Sequence, residues 1–322
     1  MTDRELELRL KKAVEACTPD VLDKVMAECD TYTDNNIVPF KKKNNFSRFI
    51  AVAAMFLIVA GIGIFSSMGM RQVASIISLE INPSIELRIN KNEEVLEAKA
   101  MNADAEEILA GMKLKGTDIH TATNAIVGSL LKHGYINELA NSILLSVEDT
   151  DMTRGEELQH KLSGEIDAML SSASINASIL SQYVEDHSVD EVSETYQISH
   201  GKAALIESIL AVNNTYEFEA LASLSVNELN LLTTSDKNKV TDVESTGKVS
   251  DGAYIGTEKA NQIAFEEAGI EESEILNLEV EFDYEYNTMI YEVEFIVDTV
   301  EYEYDIDAKT GEILGLEVEY DF

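Results

Sequence analysis

The sequence predicts an α+β protein in several pieces, on three observations: an uninterrupted apolar run from Phe49 to Phe65, segments after it that alternate apolar and polar residues, and helical periodicity between those segments. The predicted order is a helical segment over 1–48, a transmembrane helix over 49–70, an α+β domain over 71–234 and a polar linker over 235–252. A helix on a small antiparallel sheet follows over 253–322.

In the first piece, Leu6, Leu10, Ala13, Val14 and Cys17 share one face of a helix. Thr18 is a cap with Pro19 at the first position of a second helix, on which Leu22, Val25, Met26 and Cys29 recur at helical spacing. A hairpin of about 30 residues buries too little surface to stand alone. Leu6, Leu10, Val14, Leu22, Val25 and Met26 are therefore candidate partner-binding residues for a groove on a cytoplasmic protein. A tail packed on itself or on the membrane surface fits the same pattern. Residues 1–48 balance nine basic against nine acidic groups, so no basic patch supports direct nucleic-acid binding.

The seventeen residues from Phe49 to Phe65 rise about 26 Å as a helix. Continuing to Met70 exceeds the roughly 30 Å hydrocarbon core, enough for one crossing. Lys41, Lys42, Lys43 and Arg48 precede the run and only Arg71 closely follows it, which places the N-terminus in the cytoplasm and the later domains outside the plasma membrane. Forty-eight preceding residues are too many for a signal peptide. The whole net charge of −36 then falls on the extracytoplasmic side. Cys17 and Cys29 fall on the cytoplasmic side, where thiols stay reduced. The five histidines have no metal-ligand spacing, and no cofactor is implied. There is no nucleophile-base pair or Gly-rich phosphate loop, which argues against a multiple-turnover enzyme.

Ser75 to Asn90 reads as a strand interrupted at Asn82-Pro83, with Ile77, Leu79, Ile81, Ile85, Leu87 and Ile89 alternating. Val95 to Met101 is a partner strand. Thr117 is the expected cap of a helix carrying Ile119, Ala122, Ile126 and Leu130 and ending near Gly134. Strands at Ser142 to Val147 and Ile175 to Val184 flank a helix with Leu158, Leu162, Ile166, Met169 and Leu170 on one face, opened by Thr153-Arg154-Gly155-Glu156 as a capping box. Residues 188–234 read as helices, with a second box at Ser225 to Glu228. Beyond the linker, Thr257 caps a helix stopped by Gly269. Strands of period 2 then run through Leu276 to Tyr286, Tyr291 to Val297, Val300 to Ile306 and Ile313 to Phe322. Their outward face is anionic and solvated. Asp305-x-Asp307-x-Lys309 lacks the ligand sequence of a calcium loop.

Asn82-Pro83 is the one step where covalent chemistry can be argued. Proline has no N–H, so the usual attack on the Asn side chain is closed. The reverse attack, by the Asn82 side-chain nitrogen on its own backbone carbonyl, remains open and leaves a C-terminal succinimide. It requires near-attack geometry and a donor to the oxyanion, for which Ser84 is the nearby candidate. Asn82, Pro83 and Ser84 are thus the candidate catalytic residues, against the plainer reading of Asn-Pro as a turn.

The stretch Ile77-Ser78-Leu79-Glu80-Ile81-Asn82-Pro83-Ser84-Ile85-Glu86-Leu87-Arg88-Ile89-Asn90 resembles the self-cleaving segment of the RsgI-like membrane anti-sigma factors. The likeness extends more loosely through Asn124 to Gly134, Gly201 to Ile206 and Ser225 to Leu232. Residues 254–322 resemble a PepSY domain through Tyr291 to Phe295, Tyr302 to Asp307 and Gly311 to Ile313. The resemblance implies a cytoplasmic sigma factor as partner and one membrane crossing. It also implies a nick at Asn82-Pro83 whose halves stay paired, and release by site-specific and intramembrane proteases. Two features depart from the family. Its sigma-binding domain is β-rich where residues 1–40 here read as helical, and Glu80 stands where Asp is usual. The expected function is a membrane anti-sigma-factor-like regulator working by regulated proteolysis, with at most single-turnover self-cleavage. The alternative is a membrane-anchored PepSY-type binding or protease-inhibitory module with no sigma-factor partner.

Overall fold

The computed structural model of this chain describes residues 3–17, 24, 26–28, 72–185 and 188–320. The chain forms two units, Met1–Gly61 and Ile62–Phe322. In the first, α1 (Asp3–Cys17) carries Asp3 and Glu5 in its first turn, where carboxylates complement the helix N-terminus. Leu6, Leu10, Val14 and Met26 are exposed. Leu22 and Val25 lie outside the described residues, as does the apolar run with the whole of 49–70. Among the described residues no helix is long and apolar enough to cross a membrane.

In the second unit, β1 (Ser75–Glu80), β2 (Ser84–Ile89) and β3 (Val95–Ala100) form an antiparallel meander, followed by α2 (Ala103–Leu109) and α3 (Ile119–His133). Next, β4 (Ser142–Asp149) connects through α4 (Met152–Ser172) to β5 (Ser178–Glu185), its parallel neighbour. Helices α5 (Asp190–Tyr196), α6 (His200–Val212), α7 (Phe218–Ser223) and α8 (Val226–Leu232) precede a short strand, β6 (Val243–Thr246). The six strands order as β3-β2-β1-β4-β5-β6. The interrupted strand expected at Ser75 to Asn90 is therefore a hairpin that turns back at Ile81 to Pro83. Its first strand, β1, is paired on both edges, with β2 and with β4.

Alternation decides what each face of this sheet meets. Ile77, Leu79, Ile85, Leu87, Ile143, Leu145 and Val147 point to one side. There they bury Ile119, Ala122, Ile126 and Leu130 of α3 and Leu158, Leu162, Ile166 and Leu170 of α4. Each large side chain so buried contributes about 1.5–3 kcal/mol. The opposite face is polar and equally buried: Ser78, Glu80, Ser84, Glu86, Ser146, Glu148 and Gln182. Further along, Leu144 and Leu180 merge with Leu205, Ile206 and Ile209 of α6 into a second core.

That core reaches α9 (Thr257–Ala268) and the strands β7 (Asn277–Glu285), β8 (Thr288–Val297), β9 (Val300–Asp307) and β10 (Ile313–Tyr320). These form an antiparallel sheet in the order β10-β9-β8-β7. Ala260 and Ala264 bring α9 close to it, and Phe265 meets Phe295 edge-on at 5.2 Å.

Several helix starts differ from expectation by one or two residues. The α3 cap is Asp118 rather than Thr117, because its carboxylate accepts from the His120 and Thr121 amides. The α4 cap is Asp151, which accepts from Arg154 N, so Thr153 is already helical and makes no capping box. Thr257 is the first residue of α9, after Gly256. The box at Ser225 and Glu228 is present, and Gly134 and Gly269 close their helices in the left-handed conformation. The polar stretch 235–252 holds a 3₁₀ turn at Asp236–Asn238 and β6, with Val243 and Val249 buried.

Candidate functional site

The register pairs Glu80 with Ser84, leaving Ile81, Asn82 and Pro83 to connect β1 and β2. Proline costs no ladder bond there, since the turn asks for none from its nitrogen. Asn82 is exposed, while Pro83 and Ser84 are buried. The Asn82 carbonyl oxygen accepts from Asn102 Nδ2 at 2.6 Å, and the Asn82 Nδ2 donates to Asp104 Oδ2 at 2.9 Å. The start of α2 positions both partners. Asn102 is its cap, with Oδ1 accepting from Ala105 N at 2.9 Å and from Ser84 N at 3.3 Å, and Asp104 lies in its first turn. Burial, with the Asp104 and Glu107 carboxylates nearby, raises the Tyr135 phenol above its ordinary value.

Ser84 does not serve the carbonyl. Its hydroxyl donates to Glu80 Oε1 at 2.6 Å, so the structure brings Asn82, Pro83 and Ser84 together but gives the donor role to Asn102. Sequence reasoning passed over Asn102 and Asp104. The available signal was local: Asn102 before Ala-Asp-Ala-Glu-Glu reads as a helix cap.

The strand ahead of the bond is tied down at both ends. Ser75 Oγ donates to Asp149 Oδ2 at 2.6 Å, and buried Asp149 accepts from Arg154 Nε at 2.8 Å and Nη2 at 2.6 Å. This hydrogen bond raises the Arg154 pKa. Over the middle of β1 lies the N-terminus of α6. There His200 Nδ1 meets Glu148 Oε2 at 2.6 Å and the His200 amide donates to Glu86 Oε1 at 3.2 Å. The bond to Glu148 holds the imidazole above its ordinary pKa, with Glu86 and Asp190 adding to the effect. Lys202 is lowered by burial, and its ammonium donates to the Ala222 and Leu224 carbonyls.

Comparison with known proteins bears on this geometry. Residues 74–208 match the family model of the anti-sigma factor RsgI-like central domain, and residues 254–317 that of the peptidase propeptide and YPEB domain. The chain carries an RsgI-like central domain followed by a PepSY domain. Anti-sigma-I factor RsgI6 of Acetivibrio thermocellus is 32% identical over 189 residues, covering 53% of this chain and 24% of that protein. RsgI7 of the same organism is 22% identical over 196 residues, 61% of this chain and 36% of its own length. RsgI2 is 29% identical over 226 residues, 70% and 33% respectively. The chain thus spans about a quarter to a third of the length of these curated relatives.

The RsgI-like domain holds the Asn82 turn, and the PepSY domain presents the acidic sheet. Glu279, Glu294, Glu303 and Glu317 stand directly opposite one another across four strands, as do Glu281, Glu292 and Asp305 across three. Lys237 reaches over to Glu292. The hydrogen bond to Glu301, burial and neighbouring carboxylates push Glu294 up to about 7. Glu148, Asp190 and His200, and separately Glu292, Glu303 and Asp305, bring ligand atoms within 4.8 Å and could hold a cation. The PepSY domain is tied to the helices before it: Tyr216 OH donates to Asp283 and accepts from Asn238 Nδ2 at 2.8 Å.

Proposed function

We propose that this chain is a single-pass membrane regulator of the anti-sigma-factor type. Residues 1–48 hold a sigma factor in the cytoplasm, residues 49–70 cross the plasma membrane, and the RsgI-like and PepSY domains face outward. The Asn82-Pro83 bond breaks once per chain by self-cleavage. The two halves remain paired until an external signal draws them apart, and site-specific and intramembrane proteases then free the sigma factor.

The observation that carries this reading is the place of the bond at the end of β1. A nick there leaves β1 on the membrane-tethered fragment while both strands that hydrogen-bond to it belong to the other fragment. Six paired residues on each side, the Ser75–Asp149 bond and the Glu80–Ser84 bond would then hold the halves without a covalent link. The curated relatives are named anti-sigma-I factors, which supports the cytoplasmic half of the reading, as do the exposed Leu6, Leu10, Val14 and Met26.

Affinity capture tests it. The full-length chain carrying an N-terminal tag is captured from its native host beside the same chain lacking residues 1–48, and bound proteins are identified by peptide mass. A sigma factor recovered only with residues 1–48 present is the expected result. Equal recovery with both chains, or none, leaves the PepSY-type binding module as the better account.

A further inference from the structure

Resting on the self-cleavage reading above, we propose that Asn102 and Asp104 are the catalytic residues of the Asn82-Pro83 break. The Asn102 amide polarises the scissile carbonyl, and the Asp104 carboxylate takes the proton from the attacking nitrogen. An amide nitrogen is a poor nucleophile because its lone pair is delocalised, and the carbonyl it attacks is an unreactive amide. Cyclisation therefore needs a base at the first atom and a donor at the second. These are the two contacts present: Asp104 Oδ2 at 2.9 Å from Asn82 Nδ2, and Asn102 Nδ2 at 2.6 Å from the Asn82 carbonyl oxygen. Asn102 is exposed and Asp104 half-buried, yet the start of α2 places both. The two backbone amides on Asn102 Oδ1 fix which way its amide faces, and Asp104 follows two residues on in the first turn of α2.

The step balances without a co-reactant. Asn82 Nδ2 bonds to the backbone carbonyl carbon and passes one proton to Asp104, while the oxyanion accepts from Asn102. The bond from that carbon to the Pro83 nitrogen then breaks, and the nitrogen takes up a proton from the solvent around the exposed turn. Asp104 returns its proton to solvent. The N-terminal fragment ends in a succinimide and the C-terminal fragment begins with the Pro83 amine. Nothing is hydrolysed, so the two fragment masses add up to that of the intact chain until the imide opens.

The test uses the full-length chain, tagged at both ends and translated into phosphatidylcholine vesicles. Cleavage is followed by immunoblot and the products by intact mass. Asn102→Asp keeps the capping acceptor but loses the donor, and Asp104→Asn keeps shape but loses the base. Asn82→Ala supplies the uncleaved reference, and limited proteolysis checks that each variant is folded like it. Asn102→Asp is expected to slow cleavage by about 10²–10³-fold, the loss seen when one oxyanion donor is removed, and Asp104→Asn by about 10²–10⁴-fold, the contribution of a positioned general base. Should Asn102→Asp fail the proteolysis check, Asn102→Ser, another good cap too short to reach the carbonyl, is read in its place. Wild-type cleavage with folded variants cutting at the same rate overturns the assignment and leaves self-cleavage standing. A wild-type chain that never cleaves overturns both.

Discussion

Gly201 is the point where α6 rests on the strand that self-cleavage would leave on the tethered fragment. A Cβ built there lies 2.5 Å from Ser146 Oγ, 2.8 Å from Ser146 Cβ and 3.0 Å from Ser78 Cβ, on β4 and β1. Turning the Ser146 hydroxyl relieves only the first contact and breaks its 2.8 Å bond from Gln182 Nε2, which also donates to the Gly201 carbonyl at 2.7 Å. Gly201→Ala must therefore lift the helix. Overpacking costs about 1–3 kcal/mol, and weakened buried hydrogen bonds cost about 1–3 kcal/mol more. With each cost taken at about 1.5–2 kcal/mol and helix propensity returning up to about 1 kcal/mol, the net loss is about 2–3 kcal/mol. At tenfold per 1.4 kcal/mol, amides of β1 should exchange about 30- to 150-fold faster in Gly201→Ala. Hydrogen-exchange mass spectrometry on the peptide spanning 75–80 in the full chain reads this directly. Adding Ser146→Gly removes the worst contacts and should recover part of the loss. Unchanged or slower exchange, as propensity alone would give, refutes the claim that α6 bears on β1.

Three other outcomes follow from the same packing. Asp149→Ala leaves Arg154 and Ser75 without their buried carboxylate and should lower stability by about 3 kcal/mol in denaturant unfolding, the low end for a broken buried pair because Arg154 keeps 26% of its side chain exposed; a loss under about 1 kcal/mol contradicts the clamp. His200 faces Glu148 on β4, Glu86 on β2 and Asp190 on α5, and its raised pKa means its stabilisation is complete below the ordinary histidine value and fades as pH rises through the raised one, so the stability gap between wild type and His200→Gln should shrink with rising pH; a gap that widens is the wrong sign. Glu294, pushed up to about 7, favours the folded state only while protonated, so the PepSY sheet should lose stability from about pH 4.5 to 7, a loss that Glu294→Gln removes in pH-dependent melts; identical pH profiles would discount the glutamate row.

Much of the scaffold is legible in the sequence, because strands with one apolar face reveal themselves by alternation and helices by caps. Ile77 to Ile89 and Leu276 to Ile306 read correctly as strands for that reason. Alternation misleads about Glu80, Glu86 and Glu148, which it would send to solvent. They are buried instead, because α6 lays its N-terminus, with His200 and Lys202, over that face. The turn at Asn82-Pro83 was visible as an interruption but not as a hairpin, since a proline breaks a strand and starts a turn with the same residues. Asn102 is legible as a helix cap, but its meeting with Asn82, like that of Asp104, is not, since they lie 20 and 22 residues past Asn82 and reach it only once the meander forms. β6 went unseen because four residues with one buried valine make too short a pattern to stand out in a polar stretch.

A self-opened Asn82-Pro83 bond leaves the sheet whole across the nick. Purifying the chain through a C-terminal tag under native conditions, then sequencing the N-termini present before and after denaturation, tests it most directly. Two termini are expected in the native sample, that of the full chain's start and one beginning Pro83-Ser84-Ile85, with only the second kept on the resin after denaturant. A single terminus in both samples, from a chain that stays whole, would contradict it.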